Sequence, residues 1–208
     1  MKIVPFFHSI IPAYYSPEVV LVEFRQESET KKLHAAVHWI VDIAVTIAMA
    51  CYLVYGLGGR VEVNGSSMKP VLESGDVILI NRLAYDLGKP KRFDIALFSR
   101  DGSGTNLKRI IGLPGESVRI KDNRIYINGS LLETTSELSY VTIAGIAEFP
   151  VELGDDEYFL LGDNRESSED SRFPGIGSVN RSRMIGKAWL RLQPFSRFGR
   201  ITIPGGNE

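Results

Sequence analysis

The hydrophobic pattern divides the chain into a long apolar segment and a later region of short alternating runs. Residues Ala35 to Leu57 are almost all apolar. At about 1.5 Å per residue, these roughly 23 residues extend about 34 Å as a helix, and a bilayer core is about 30 Å thick. The segment is too long and too late in the chain for a simple secretory signal, and no clear cleavage site follows it. We therefore predict a transmembrane helix at 35–57, with a buried core helix as the competing interpretation.

The region after residue 57 has the pattern of β-strands. Runs of four to eight residues, some strictly alternating, are bounded by Gly, Asp and Asn turns. The runs are Val77–Ile80, Asp94–Phe98, Ser117–Lys121, Arg124–Asn128, Tyr158–Leu161 and Ile185–Leu192. The third and fourth flank Asp122-Asn123 and predict a hairpin. The pattern predicts an all-β domain of folded sheets or a barrel over 58–208, with a smaller lobe at about 122–153.

Basic residues on either side of the apolar segment predict its orientation. Arg25, Lys31 and Lys32 precede it, and Arg60 alone follows it closely. The positive-inside rule places residues 1–34 in the cytoplasm and 58–208 outside. Asp42 lies in the first third of the segment, where an acid is tolerated near the headgroups; a polar contact with a partner helix is the alternative.

Composition excludes several kinds of chemistry. The net charge of −1 gives no reason to expect nucleic-acid binding. The single cysteine, Cys51, rules out an intramolecular disulfide. The three histidines, His8, His34 and His38, all precede residue 58. The β-region therefore has no Ser-His-Asp triad, no Cys-His pair and no His/Cys zinc site.

A serine without a histidine needs another base, and lysine is the candidate. Ser67 lies in Gly65-Ser66-Ser67-Met68-Lys69-Pro70, and Lys108 lies in Leu107-Lys108-Arg109-Ile110-Ile111-Gly112. A lysine accepts a proton only when it is neutral, so burial must lower its pKa by roughly two to three units. On a strand, Lys108 shares an apolar face with Ile110, while Arg109 points to the other face. Taken alone, a solvated loop serine and a surface lysine fit these patterns as well.

A third polar segment follows the Tyr158–Leu161 run. It reads Gly162-Asp163-Asn164-Arg165-Glu166-Ser167-Ser168-Glu169-Asp170-Ser171-Arg172. An EF-hand loop needs an oxygen ligand at position three and glycine at six, and Arg165 and Ser168 occupy those positions. A solvated loop is one alternative. Another is a support in which carboxylates pair with Arg109, Arg165 or Arg172 and a serine holds a lysine amine.

These three segments together resemble the bacterial type I signal peptidases, in the Gram-positive-like form. Ser67-Met68-Lys69-Pro70 resembles the nucleophile box of that family, and Lys108-Arg109-Ile110-Ile111-Gly112-Leu113-Pro114-Gly115-Glu116 resembles its lysine box. Gly162-Asp163-Asn164-Arg165, continuing to Arg172, resembles its Gly-Asp-Asn box. The apolar segment stands where the family has its membrane anchor.

The resemblance implies a role for each matching residue. Ser67 would attack the scissile carbonyl, and Lys108 would act as general base and then as general acid. Ser168 would orient the amine of Lys108 by a hydrogen bond. A backbone amide would complete the oxyanion hole, because Gly65 stands where some members have a serine. The supporting ion pairs would come from Arg109, Asp163, Asp170 and Arg172.

The resemblance also implies the substrate and the location. The enzyme would remove signal peptides with small residues before the cut from exported preproteins, at the lipid bilayer, with no metal or cofactor. Arg92-Phe93-Asp94 departs from the Arg-Gly-Asp of many members, and Phe173-Pro174-Gly175 departs from their aromatic-Gly run. Competing hypotheses are a Ser-Lys peptidase dedicated to one substrate and an inert β binding domain displayed on the membrane. A self-cleaving repressor is disfavoured by the membrane segment.

Overall fold

A computed structural model describes residues 17–100, 104–133 and 140–201, with side chains from residue 31 onward. The chain forms two units, residues 1–51 and 52–208. The first sixteen residues of the predicted cytoplasmic segment lie outside the described part of the chain.

The N-terminal helix, α1, spans Pro17–Leu57 and begins earlier than the predicted membrane segment. Proline is tolerated in the first turn of a helix, where its missing N–H has no partner to lose. Within α1, Lys31–Leu57 is long and apolar enough to cross a membrane. The side chains of residues 31–55 are exposed in the described structure.

The rest of the described chain is mostly β-structure. A short helix, α2, spans Leu83–Asp86, and 3₁₀ turns occur at Gly145–Glu148, Arg181–Arg183 and Phe195–Arg197. The strands are β1 (Gly59–Glu62), β2 (Val77–Asn81), β3 (Ile95–Ser99), β4 (Thr105–Gly112), β5 (Ser117–Lys121), β6 (Arg124–Ile127), β7 (Ser130–Leu131), β8 (Val151–Glu152), β9 (Glu157–Leu161), β10 (Val179–Asn180), β11 (Met184–Gln193) and β12 (Gly199–Arg200).

The strands form two antiparallel sheets. The larger sheet has the order β1-β2-β11-β3-β4-β9-β10, with β12 paired to β11, and the smaller has the order β7-β6-β5-β8. The ten-residue β11 pairs with β2 on one side and β3 on the other. The fold is therefore an N-terminal apolar helix followed by folded β-sheets, as the pattern predicted.

The predicted hairpin is formed by β5 and β6, whose register pairs Ile120 with Ile125. Their alternation buries one face of the ribbon, where Val118, Ile120 and Ile125 pack with Phe159 in a common core. Polar residues such as Arg119 lie on the exposed face. The smaller sheet covers much of the stretch predicted as a lobe; its boundary as a separate lobe stays a prediction.

Candidate active site

Lys108 lies in the middle of β4 and is almost completely buried. Its exposed fraction is 4 %. In the antiparallel register, Lys108 pairs with the fully buried Ala96, and Ile110 pairs with Leu160. Directly paired residues share a face of the sheet, so Lys108 lies on the apolar face made by Ala96, Ile110 and Leu160. This is the face that the alternation of the sequence predicted.

Burial lowers the pKa of the Lys108 amine, because a low-dielectric environment disfavours the ammonium ion. Asp170 and then Glu169 act in the opposite direction and raise this pKa. The cations Arg100 and Arg172 lower it further. Desolvation is the largest effect, so the balance favours the neutral amine relative to an exposed lysine.

Gly162 lies against the other two candidate segments and follows the strand that pairs with β4. Arg109 pairs with Leu161, the last residue of β9, and Gly162 comes directly after it. A Cβ atom added to Gly162 would lie 2.1 Å from Ser168 Oγ and 2.6 Å from the carbonyl oxygen of Ser67. Only glycine permits this close approach. The missing side chain thus lets Ser67 and Ser168 both approach the backbone directly after β9, the strand that pairs with the one carrying Lys108.

The serine segment is anchored on both sides of Ser67. Met68 is 2 % exposed and packs in the same core cluster as Leu72. The backbone N–H of Asn164 donates to the Ser67 carbonyl oxygen at 3.0 Å, and Asn164 Nδ2 donates to the Ser66 carbonyl oxygen at 3.1 Å. The backbone of Ser66 and Ser67 is therefore fixed to the Gly-Asp-Asn segment, while Ser67 itself stays partly accessible.

Gly65 leaves space beside this segment. Its φ is +95°, in the region that favours glycine, and nothing lies within 4 Å of the position a Cβ would take. A substrate backbone can therefore approach the chain two residues before Ser67.

Ser168 is buried, and its hydroxyl oxygen has no hydrogen-bond partner among the described residues. The hydrogen bond to Lys108 that the resemblance implied is therefore not formed in this structure. The neighbouring Glu169 and Asp170 both act on the pKa of Lys108, which places this loop close to the amine. A buried hydroxyl without a partner is costly, and a nearby amine is a suitable partner for it.

Two buried ion pairs support the strand and the loop. Arg109 donates to both carboxylate oxygens of Asp163, at 2.7 and 2.6 Å, and also to the Phe93 carbonyl oxygen at 2.8 Å. Arg172 donates to both oxygens of Asp170, at 2.7 and 2.8 Å. Asp170 also accepts a hydrogen bond from the Gly162 backbone N–H at 3.0 Å. Asp163 and Asp170 are thus each bound by an arginine.

The turn at Arg92-Phe93-Asp94 adopts a conformation that suits glycine. Phe93 has a φ of +69°, which is unusual for a bulky residue. Its N–H donates to the Ile110 carbonyl oxygen at 2.8 Å, and its carbonyl accepts from Arg109. Phenylalanine therefore adopts a backbone conformation that glycine would adopt more easily, and these hydrogen bonds hold it.

Sequence reasoning left several site residues without a role. Gly162 and Asn164 were noted as parts of a motif, but their close contacts with Ser67 depend on distant segments. Arg165 was a candidate for pairing, yet none of its guanidinium nitrogens has a hydrogen-bond partner within the described residues. Arg100 and Glu169 form a bidentate surface pair, at 2.8 Å for both hydrogen bonds, beside Ser168.

Comparison with known proteins matches this arrangement to one family. The family model described as signal peptidase, peptidase S26, matches residues 36–193. That stretch includes all three candidate segments. The chain belongs to this family and is a serine peptidase, a hydrolase.

Individual relatives agree with the family. A probable signal peptidase I-2 of Synechocystis sp. is 32 % identical, with 88 % of this chain and 87 % of that protein covered. A signal peptidase I of Bacillus licheniformis is 32 % identical over 82 % of this chain and 96 % of that protein. A crystal structure of a signal peptidase I from Enterococcus faecalis V583 covers 48 % of this chain and 96 % of that chain, with 32 % identity and a TM-score of 0.39. The names of the Synechocystis and Bacillus licheniformis relatives support a signal peptidase I function.

Proposed function

We propose that this chain is a membrane-anchored serine endopeptidase that removes signal peptides from exported preproteins with a Ser67–Lys108 dyad. The observation that carries the proposal is the position of Lys108. It is a lysine on a buried apolar face, with a lowered pKa, on the strand that pairs with β9, and β9 leads directly into Gly162. Gly162 in turn lies against the Ser67 backbone.

The dyad accounts for acyl transfer without a histidine. The neutral amine of Lys108 takes the proton of Ser67 Oγ as this oxygen attacks the scissile carbonyl carbon. The C–N bond of the tetrahedral intermediate then breaks, and the Lys108 ammonium gives its proton to the departing amine. A water molecule, deprotonated by the neutral Lys108, attacks the acyl-enzyme ester. The second tetrahedral intermediate then breaks down, which returns a proton to Ser67 Oγ and releases the signal peptide with a free carboxylate.

The other predicted residues act by supporting these two. The Ser67 backbone N–H and a second backbone amide near Gly65 would stabilise the oxyanion. Ser168 would hold the Lys108 amine once the hydroxyl turns toward it. The pairs Arg109–Asp163 and Arg172–Asp170 fix β4 and the loop that carries Ser168, so that the amine and the hydroxyl keep one relative position.

The location follows from the helix and the flanking charges. Lys31–Leu57 is apolar, long enough to cross a bilayer, and exposed over most of its length. An exposed apolar surface of this size must be buried against another apolar phase, and the length of the helix matches the thickness of a lipid bilayer. The basic residues before the helix favour a cytoplasmic N-terminus and an extracytoplasmic catalytic domain.

The substrate class rests on family membership. The relatives named signal peptidase I and the open backbone around Gly65 favour a peptide bound in extended form with small residues before the cut. Such substrates reach the outer face of the membrane, where the proposed orientation puts the site.

The test uses the full-length chain in detergent and a peptide with an Ala-x-Ala sequence before the cut. The unaltered protein is expected to cleave after the second alanine. Ser67→Ala and Lys108→Met should each lose at least about 10³-fold in kcat. The exposed lysine Lys121, changed to Met, is the matched control and should retain activity. A folded Lys108→Met variant with full activity would contradict the proposed base, and binding of the peptide without cleavage would favour the inert binding domain.

A further inference from the structure

The buried charges around the site do not balance. Arg109 is paired with Asp163, and Arg172 is paired with Asp170, each through two hydrogen bonds. Arg165 lies near both pairs, and Asp163 is its main stabilising charge. Both oxygens of Asp163 are already engaged by Arg109. Three arginines therefore share two carboxylates, which leaves one positive charge in excess.

The excess charge belongs to Arg165. Its exposed fraction is 6 %, and all three of its guanidinium nitrogens lack a hydrogen-bond partner within residues 17–100, 104–133 and 140–201. Burial lowers its pKa to about 10, so the group is still charged at neutral pH. A buried charge without a hydrogen-bonded counter-ion is costly, as the strong destabilisation on breaking a buried pair shows. Such a cost is offset when an anion arrives.

Arg165 forms part of the wall of an open cleft of about 420 Å³. Lys69 and Pro70, which follow the proposed nucleophile, form another part, and Asn164 and Glu166 also line the cleft. Asn164 bonds directly to the backbone of Ser66 and Ser67, so the cleft adjoins the reacting serine. The side chains of Lys69 and Glu166 are exposed and opposite in charge. Asp163 lines the cleft as well, but its carboxylate is fully buried and bound by Arg109, so the charge left unpaired beside the cleft is that of Arg165.

A carboxylate in this cleft would gain from both cations in different ways. The exposed ammonium of Lys69 is free to contact it directly. The Arg165 guanidinium would act from inside the wall, where solvent screens it little and its field reaches the cleft with greater strength than that of a surface charge. Direct contact with Arg165 is not required.

Building on the proposed function, we infer that this cleft binds an acidic side chain of the substrate on the carboxyl side of the cut, within the first three residues of the released chain. The signal side of the substrate is apolar and has small residues before the cut, and a charged cleft is a poor environment for it. The released chain is the polar part of the substrate. Lys69 and the cleft lie next to Ser67 along the chain, within reach of the first residues of the released chain.

The experiment measures selectivity and uses the full-length chain in detergent at low salt. Peptides share one Ala-x-Ala sequence and carry Glu, Gln or Lys at the first, second or third position after the cut. At one of these positions, kcat/KM for Glu should exceed that for Gln by about three- to tenfold, the size expected for a partly exposed charge pair. Lys at the same position should be cleaved more slowly than Gln, and added salt should reduce both differences.

Two variants assign the preference to the cleft. Arg165→Gln should bring the Glu-to-Gln ratio close to one, and Lys69→Gln should lower it. The Gln peptide is the internal reference, because damage to the site lowers both rates and leaves their ratio unchanged. Lys121→Gln, which removes an exposed charge on the smaller sheet, should leave the ratio as it is.

Two results would overturn the inference alone. One is cleavage of the Gln peptide with no preference for Glu at any of the three positions. The other is a Glu preference that survives unchanged in both Arg165→Gln and Lys69→Gln. Failure to cleave any of the peptides would instead overturn the proposed function, and the inference with it.

Discussion

Arg109 and Asp163 face each other in an ion pair closed to solvent, with side chains 1 % and 0 % exposed and two hydrogen bonds of 2.7 and 2.6 Å. Arg109 is the residue after Lys108 on β4, and Asp163 is the residue after Gly162. The pair therefore fixes the two chain segments that meet beside the lysine. A buried ion pair is costly, but this one fixes the backbone next to Lys108 relative to the backbone next to Gly162, where the proposed chemistry needs a fixed geometry.

Removing one partner of this pair should be strongly destabilising. Asp163→Asn leaves the Arg109 charge buried without its counter-charge, and we expect a loss of about 3–5 kcal/mol in the free energy of unfolding. Chemical denaturation of the full chain in detergent measures it. The control is Glu169→Gln, which breaks the Arg100 pair at a position 56 % exposed. Glu169→Gln should lose only about 0–1 kcal/mol in the free energy of unfolding. Equal losses for Asp163→Asn and Glu169→Gln would show that burial of the Arg109–Asp163 pair does not make it more important for stability than an exposed pair.

Lys108→Met should inactivate the protein and stabilise it. The pKa of Lys108 is lower in the folded chain than in the unfolded chain, so unfolding takes up a proton between these two pKa values. The lysine therefore destabilises the fold most at pH below its folded pKa, and this penalty falls as pH rises toward the unfolded value. At neutral pH the variant should gain about 0.5–2 kcal/mol. The gain should shrink at high pH; a loss of stability at neutral pH would show that the lysine is not strained by burial.

The surface pair beside Ser168 should shift the pH dependence of cleavage in opposite directions. Glu169 raises the pKa of Lys108 and Arg100 lowers it. Activity requires the neutral amine, so kcat/KM should rise as pH increases through this pKa. Glu169→Gln should move the inflection to lower pH, and Arg100→Gln should move it to higher pH.

The pH–rate profiles of both variants measure these shifts. Since both groups are near the surface, the shifts should diminish at high salt. Shifts of the same sign in the two variants would mean that the inflection does not report Lys108.

Gly162→Ala should abolish activity through crowding. The added methyl group would lie 2.1 Å from Ser168 Oγ and 2.6 Å from the Ser67 carbonyl oxygen, both much shorter than a van der Waals contact. The carbonyl oxygen belongs to the backbone and cannot rotate away. We expect a loss of at least about 10²-fold in kcat, as for other small displacements of reacting groups, and about 1–3 kcal/mol of stability. Gly154→Ala is the matched control, because its nearest contact would be 3.6 Å, an ordinary distance. Steady-state kinetics measure the loss of kcat, and thermal unfolding measures the loss of stability. A fully active Gly162→Ala variant would refute the claim that the Ser67 and Ser168 segments must approach Gly162 this closely.

Local patterns predicted much of the fold. The alternation of Ser117–Lys121 and Arg124–Asn128 around Asp122-Asn123 predicted the hairpin, because each strand buries one face. The two-residue strands β7, β8, β10 and β12 were not predicted, since so short a run carries no periodic signal. The pairing of β11 with both β2 and β3 depends on contacts between distant parts of the chain. The start of α1 at Pro17 was also missed, because proline at a helix start is permitted rather than required.

In the candidate site, too, local patterns predicted some features, and contacts between distant segments determined the others. The apolar neighbours of Lys108 on β4 allowed a buried lysine as well as a surface one, and the pairing of β4 with β3 and β9 decided for burial. The pairing of Arg109 with Asp163 and of Arg172 with Asp170 was one of several combinations open to the sequence. The isolation of Arg165 could not be found from the chain, because it results from competition among three arginines for two carboxylates in one small volume.

The central claim is that the neutral amine of Lys108 activates Ser67 to form an acyl-enzyme. The most direct measurement is mass spectrometry of the full-length chain quenched in acid during turnover of an Ala-x-Ala ester substrate, followed by fragmentation to locate the added acyl group. The account predicts the acyl mass on Ser67 in the unaltered protein and its absence in Ser67→Ala and Lys108→Met. An acyl group on another residue, or undiminished acylation of Ser67 in Lys108→Met, would contradict it.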